Sequence, residues 1–145
     1  SATTYFNTVF AKSTSAQYAD LAEMYEADAD YEPGTVVSFG GSKEVTSSMV
    51  ANDTRVAGVV STNPSYLMNS AQEGEHVLPV ALTGRVPCQV VGTIRKGDRL
   101  VSAGLGLARA AKRSEITAFN VIGRSLEDKT TIGEGTIEAI VKLNS

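Results

Sequence analysis

The chain has 145 residues and a formal net charge of −3, with 42% hydrophobic residues, 6% aromatic residues and no tryptophan. This length suits one domain with a modest aliphatic core, and the slight acidity gives no broad basic field, which excludes nucleic acid as a partner on electrostatic grounds. The single cysteine, Cys88, excludes an intrachain disulfide, and its strand-like setting predicts a buried thiol.

Membrane insertion is not expected for this chain. No apolar run approaches the roughly 18 to 20 residues of a membrane helix, and no charged and then apolar leader opens the sequence. We therefore expect a soluble protein without a secretion signal. The chain begins at Ser1 instead of methionine, and the expectation drawn from this is a piece trimmed or cut from a longer polypeptide.

Residues 1–31 are predicted to form an N-terminal arm, and residues 32–145 a β-domain. Ser15 can cap a helix over residues 16–25, and the same stretch can alternatively run extended against a neighbouring subunit. An isolated chain would leave the large apolar side chains of the arm in water, and burying each is worth roughly 1.5 to 3 kcal/mol. We therefore expect these residues to mediate oligomerisation: Phe6, Phe10, Tyr18, Leu21 and Tyr25.

From Tyr31 onward, short runs rich in Val, Ile and Thr alternate with glycine, asparagine and proline turns, which is typical of a mainly β fold. A further hairpin is expected within residues 42–53. The predicted strands span residues 35–39, 55–61, 77–82, 84–91, 99–102, 107–110, 119–125 and 136–143.

One phrase of the sequence recurs sixty-three residues later. Residues 32–41 and 95–104 each consist of a turn, a strand and a glycine, with Pro33-Gly34 and Lys96-Gly97 at the two turns. A second strand is predicted after each copy. The repetition predicts two related halves with equivalent turns, arranged as a compact β-barrel or sandwich.

No group of residues in the sequence indicates catalysis. The carboxylates between Asp20 and Glu32 lack the glycine and the bidentate end of a calcium loop, so a solvated acidic face is favoured over a metal site. His76 stands alone without a Gly-x-Ser-x-Gly elbow, and residues 104–109 lack the third glycine of a dinucleotide loop. We expect no catalytic residue, no metal and no cofactor, and hence a protein that is not an enzyme.

Three phrases carry a family resemblance that covers about residues 16–143. They are Tyr18 to Glu23 leading to Tyr31 to Val36, then Ala57 to Pro64, then Val80 to Pro87. In this combination the chain resembles the C-terminal domains of bacteriophage tail fibre and tailspike proteins. The resemblance implies a virion structural protein at the tail fibre tip, made in the host cytoplasm and homotrimeric. It also implies attachment to a bacterial surface receptor, either a polysaccharide or an outer-membrane protein.

An attachment role directs attention to two surface segments. The loop of residues 63–75 carries Tyr66, Leu67 and Met68. Tyr66 is the best candidate for stacking on a sugar, although an interface role is favoured for it. The segment of residues 108–115 is basic, and a solvated loop is the alternative there. The predicted receptor contacts are Tyr66, Leu67, Met68, Arg109, Lys112 and Arg113.

A more distant likeness, to the self-cleaving chaperone domains of phage spikes and appendages, rests on the opening Ser15 to Asp20. It implies an alternative function, an autoprocessing domain that assists trimerisation, and would assign a nucleophile and its activating groups among Lys12, Ser13, Ser15, Asp20 and Glu23. Thr14 stands before Ser15 where those domains have an aspartate, which disfavours cleavage here. A capsid decoration module is a third possibility.

Overall fold

The computed structural model describes residues 19–142, and nearly all regular structure within them is β. The strands in chain order are β1 (Ala19–Glu26), β2 (Val36–Phe39), β3 (Val45–Ser47), β4 (Val56–Val60), β5 (Tyr66–Met68), β6 (Val77–Val91), β7 (Arg99–Gly104), β8 (Leu107–Ala110), β9 (Gly123–Ser125) and β10 (Glu134–Val141). A short 3-10 turn spans Arg113–Glu115, and no α-helix occurs between residues 19 and 142. The predicted mainly β fold is confirmed. Over the same residues, no helix has the length and apolar character needed to span a membrane.

Strand β6 is the longest strand and takes part in both halves of the fold. Its first part pairs antiparallel with β1 on one side and with β4 on the other, since both contact Val80 and Ala81. Its second part pairs antiparallel with β10, from Gly84 opposite Val141 onward. The sequence predicts two strands here, but a single strand continues through Gly84, whose φ of 103° is a conformation that glycine favours.

The second half of the chain closes into a five-stranded barrel. From β6 the neighbours are β10, β9, β7 and β8, and β8 returns to β6 through a parallel pairing of Ala108 with Val90. Cys88 is fully buried inside, as predicted, and its burial raises the pKa of the thiol to about 12. The aliphatic core around it includes Val86, Val90, Leu100, Ile122, Ile137 and Val141.

The first half repeats this order of strands. Here β6, β4, β2, β3 and β1 follow one another, and Ala27, just after β1, makes a parallel bridge to Val45 of β3. Adding sixty-three to these two residue numbers gives Val90 and Ala108, the pair that closes the five-stranded barrel of the second half. Strand β1 is therefore the equivalent of the second part of β6. A second core cluster fills this half and includes Ala27, Val37, Val45, Ala57, Val60, Leu78 and Val80.

The two turns of the repeated phrase occupy equivalent places. The backbone N–H of Gly34 donates to the carbonyl of Val60 over 2.8 Å, and the N–H of Gly97 donates to the carbonyl of Ser125 over 2.8 Å. Both glycines have positive φ, 87° and 93°. After each turn the next strand pairs antiparallel with its partner, β2 with β4 and β7 with β9. The predicted pair of related halves is confirmed.

The helix predicted over residues 16–25 is wrong for the part that the structure describes, because Ala19–Glu26 forms strand β1. The extended alternative holds, but the partners of β1 are β6 and β5 of the same chain. These long-range pairings bury Asp20 and Ala22, and local helical spacing does not reveal them. Strand β1 thus connects the end of the predicted arm to the sheet of the β-domain.

Candidate functional site

Two loops are longer in one half of the chain than their counterparts in the other half. Between β4 and β6, residues 61–76 form a first insertion that is longer than its counterpart between β9 and β10. Between β8 and β9, residues 111–122 form a second insertion that is longer than its counterpart between β3 and β4. Loops added to a rigid scaffold are where binding residues concentrate. The predicted receptor contacts lie in these two insertions or next to them.

The first insertion carries an edge strand. Strand β5 pairs with β1 in parallel, with Tyr66 opposite Leu21, and the backbone N–H of Ser65 donates to the carbonyl of Asp20 over 3.0 Å. Tyr66 is 64% exposed and Leu67 37% exposed. Among the described residues β5 pairs with β1 alone and is therefore an edge strand of the described sheet. The sequence analysis treated this segment as a loop, because a three-residue strand gives little local signal.

The basic residues of the second predicted contact segment have different surroundings. The guanidinium of Arg109 donates to the Glu115 carboxylate over 2.7 and 2.9 Å and to the Asn52 side chain over 2.9 Å. The backbone N–H of Lys112 donates to the same carboxylate over 2.8 Å. Arg113 is exposed. Arg109 is thus committed to an internal contact, and its predicted role at a receptor stays untested.

This network holds the second insertion in place. The Arg109 guanidinium, followed by the Lys112 backbone N–H and the Asn52 amide, lowers the pKa of Glu115 to about 2. The buried Asn120 side chain donates to the carbonyl of Glu115 over 2.7 Å and accepts from the N–H of Thr117 over 2.9 Å. The insertion is therefore tied at both ends, and Phe119, between these anchors and 71% exposed, projects from a fixed loop.

A groove of about 440 Å³ lies beside Phe119. Phe39, at the end of β2, is 46% exposed, and its ring meets Tyr25 edge-on with centroids 5.6 Å apart. A neighbouring groove of about 390 Å³ shares Phe39, Thr54 and Arg55 with the first. We call the first of these the Phe39–Phe119 groove. Its lining is Phe39, Thr54, Arg55, Val56, Ala118, Phe119, Val121 and Lys142.

The sequence analysis missed this groove. Phe39 was assigned only to a strand and Phe119 only to the start of another. The sequence offered one usable signal: Phe119 stands among polar and small residues in the second insertion. The approach of Phe39 to Phe119 depends on the packing of the two halves against each other, which local sequence does not specify.

The predicted oligomerisation residues lie partly inside the described chain. Tyr25 is half-buried and packs against the core of the first half, and Leu21 is half-buried opposite Tyr66. Phe6, Phe10 and Tyr18 lie outside the described residues. Leu21 and Tyr25 thus have neighbours within their own chain, and a role at a subunit interface stays a prediction.

Two further titratable groups considered from the sequence, Asp20 and His76, have different surroundings. Asp20 is 1% exposed, and neither carboxylate oxygen has a hydrogen-bond partner at bonding distance. Burial raises the pKa of Asp20, and the nearby Ser61 hydroxyl offsets part of this increase. His76 lies 3.5 Å from the exposed Glu75. Within residues 19–142, no three His, Cys, Asp or Glu side chains are grouped so as to hold a metal ion.

The fold has counterparts among solved structures, although no protein-family model and no curated protein sequence matches the chain. One is the C-terminal fragment of gene product 12 from bacteriophage phi29, with 14% identity and a TM-score of 0.63, covering 85% of this chain and 100% of the fragment. Another is the N base of the head fiber protein gp8.5 of bacteriophage phi29, with 13% identity and a TM-score of 0.50, covering 83% of this chain and 92% of the other. The chain shares the fold of these two phage proteins.

Proposed function

We propose that this protein is a virion structural component, a fibre-type domain of a bacteriophage that takes part in attachment to the host cell. The observation that carries the proposal is the shared fold with two phage phi29 proteins, one of them described as part of a head fiber. The family resemblance in the sequence points the same way. The chain contributes a rigid duplicated β-frame and two insertions that present side chains to the outside.

The attachment surface in this proposal includes strand β5. An edge strand with an exposed aromatic ring can bind a partner by stacking. Tyr66 and Leu67 supply the exposed side chains, and Met68 follows them. The partner is a polysaccharide or an outer-membrane protein of the bacterial surface.

A whole-cell binding assay tests this surface. Labelled protein is incubated with bacteria of the phage's host range, and the retained fraction is compared between wild type and Tyr66→Ala. We expect at least a tenfold loss for Tyr66→Ala and no change for Ile132→Ala, because Ile132 is also highly exposed but lies in the short loop between β9 and β10. Equal retention of the two variants would contradict a role for β5.

We also propose a homotrimer located at the tip of a tail fibre. Phe6, Phe10 and Tyr18 are the arm residues expected to associate, with Leu21 and Tyr25 at its junction with the domain. Light scattering of the whole chain at micromolar concentration measures the molar mass directly. A trimer that dissociates on replacing Phe6 and Phe10 by serine supports the proposal, and a monomeric wild type contradicts it.

A second placement, a module on the capsid, is favoured by the likeness to a head fiber base. Antibody labelling of intact virions in the electron microscope distinguishes the two placements, because gold particles will gather at the fibre tips or on the head. The autoprocessing alternative stays a prediction, because its candidates Lys12, Ser13 and Ser15 lie outside residues 19–142.

A further inference from the structure

The Phe39–Phe119 groove combines aromatic rings with two cationic side chains. We propose that it binds an acidic sugar unit, a pyranose ring that carries a carboxylate, as a part of the host-surface polysaccharide. This inference rests on the proposed attachment function and names the ligand class for one of its surfaces. Nothing in the sequence analysis assigned Phe39, Arg55, Phe119 or Lys142 to a site.

The positive charge in the groove is only partly compensated within the described chain, where Asp53 is the one carboxylate that acts on Arg55. Among residues 19–142, the side chains of Arg55 and Lys142 take part in no ion pair or hydrogen bond. Asp53 attracts Arg55 electrostatically, but its oxygens already accept from Ser38, Ser48 and the Arg55 backbone N–H. Guanidinium groups pair with carboxylates through two parallel hydrogen bonds. The carboxylate of an anionic ligand would supply the hydrogen bonds that the side chains of Arg55 and Lys142 lack.

The aromatic groups select the rest of the ligand. A pyranose ring has an apolar face of C–H bonds that packs on the negative face of a phenyl ring, and hydroxyl groups around its edge that need polar partners. Phe39 and Phe119 offer the rings, and the Thr54 hydroxyl offers a polar partner. A small inorganic anion would leave Phe119 in water, and a purely apolar ligand would desolvate the two cations without pairing them.

The size and rigidity of the groove agree with this ligand. Its volume of about 440 Å³ falls within the range of about 300 to 1,000 Å³ that small-molecule sites occupy. Phe119 is held by the anchored second insertion, and Phe39 is braced by its edge-on contact with Tyr25. Side chains that are already fixed lose little conformational entropy on binding, so a weakly polar stacking surface can still give measurable affinity.

Partial burial lowers the pKa of Lys142, which lines the groove. A carboxylate bound nearby favours the charged form of the amine and shifts this pKa upward again. Binding of the acidic sugar will therefore be accompanied by a small proton uptake at alkaline pH, where part of the Lys142 population is neutral. A neutral sugar in the same place produces no such uptake.

The test is calorimetric titration of the whole chain with a panel of uronate- and sialate-containing oligosaccharides, each paired with a neutral oligosaccharide of the same length. We expect at least one acidic member to bind tenfold or more tightly than its neutral counterpart. Phe119→Ala will weaken that binding at least tenfold, and Arg55→Gln will remove the preference for the acidic member. Ile132→Ala serves as the matched exposed control and will bind as wild type does.

Three results with the purified protein overturn the inference. They are failure of every acidic member to bind, equal binding of the acidic and neutral members, and a fall in molar mass for Phe119→Ala by light scattering, which would make the groove a subunit interface. Circular dichroism shows whether each variant is folded, and Phe119→Leu replaces Phe119→Ala if it is not. If cell binding is kept in the groove variants and lost in Tyr66→Ala, the role of the groove is overturned and the attachment function is not. If the protein binds the acidic saccharide but does not bind cells, the groove proposal is supported and the attachment function is contradicted.

Discussion

Gly58 and Gly123 occupy the same position in the two halves of the chain, and at both of them a neighbouring strand leaves no room for a side chain. A Cβ at Gly58 would lie 2.1 Å from the carbonyl oxygen of Ala81, and a Cβ at Gly123 would lie 2.0 Å from the carbonyl oxygen of Ile140. Gly58 faces Val37 of β2, and Gly123 faces Leu100 of β7. The duplication therefore extends to a close approach of two backbones.

Alanine at either of these glycines is expected to destabilise the protein by about 3 kcal/mol or more, because the added methyl group would displace a paired strand. Gly133→Ala is the matched control, since no atom lies within 4 Å of its added Cβ, and it should change the unfolding free energy by less than about 1 kcal/mol. Urea denaturation followed by circular dichroism measures all three. Similar values for Gly58→Ala and Gly133→Ala would refute the close backbone approach at Gly58, and a large difference between Gly58→Ala and Gly123→Ala would refute their equivalence.

Gly34 and Gly97 differ in what surrounds them, although both have positive φ. Gly97→Ala meets only the end of the Arg124 side chain, 3.9 Å away, so its cost should come from the backbone and amount to about 1 to 2 kcal/mol. Gly34→Ala also meets Gln89, with Cγ at 3.0 Å and the backbone nitrogen at 3.3 Å, and should cost more. Thermal unfolding of both variants and of Gly97→Asn tests this order, with Gly97→Asn expected to be the mildest.

The Glu115 carboxylate predicts a stability change in acid. Its pKa is lowered from 4.5 to about 2 in the folded protein, chiefly by the Arg109 guanidinium. A lowered pKa contributes stability that is present above the unfolded value and is lost as the pH falls from about 4.5 toward 2. Glu115→Gln should remove this component, so that its stability curve is flatter than that of wild type over this window. Parallel curves for the two proteins would mean that the ion pair does not survive in solution.

The pH dependence of stability that we expect from Asp20 has the opposite sign to that of Glu115. Its pKa is raised by burial, so its contribution to stability is complete below its unfolded pKa of about 3.8 and is lost as the pH rises through the folded value. At neutral pH the folded state thus carries the cost of a buried, unpartnered carboxylate. Asp20→Asn should stabilise the protein at pH 7 by about 1 kcal/mol and by less at pH 3, as measured by urea denaturation at both pH values. A loss of stability at pH 7 would show that the charged form is required.

The sequence predicted the parts of the fold that short-range chemistry determines. The turns at Gly34 and Gly97 were recognised because proline and glycine at such places restrict the backbone locally, and most strands followed from β-branched runs. The pairing of β1 within its own chain was missed. Leu21 and Tyr25 fit a helical spacing, whereas the burial of Asp20 and Ala22 comes from β5 and β6, far away in sequence. In this segment the pairing with distant strands outweighed the local helical preference.

The candidate site was predicted less completely. Tyr66 and Leu67 were chosen as exposed apolar residues, and they are exposed. Arg109 was chosen for its charge, but its partner Glu115 lies only six residues along the chain and could have been considered as an ion pair from the start. The approach of Phe39 to Phe119, eighty residues apart, required the packed structure.

The continuity of β6 has a mechanical consequence. At about 3.3 Å per residue, this strand of fifteen residues is about 50 Å long, and no linker divides it between the halves. The first insertion leads into one end of β6, and the second is carried by the barrel built on its other end, so the two insertions are parts of one continuous framework. If both insertions bind units of one repeating polymer, they can do so at the same time only when the spacing of those units matches the fixed separation of the insertions.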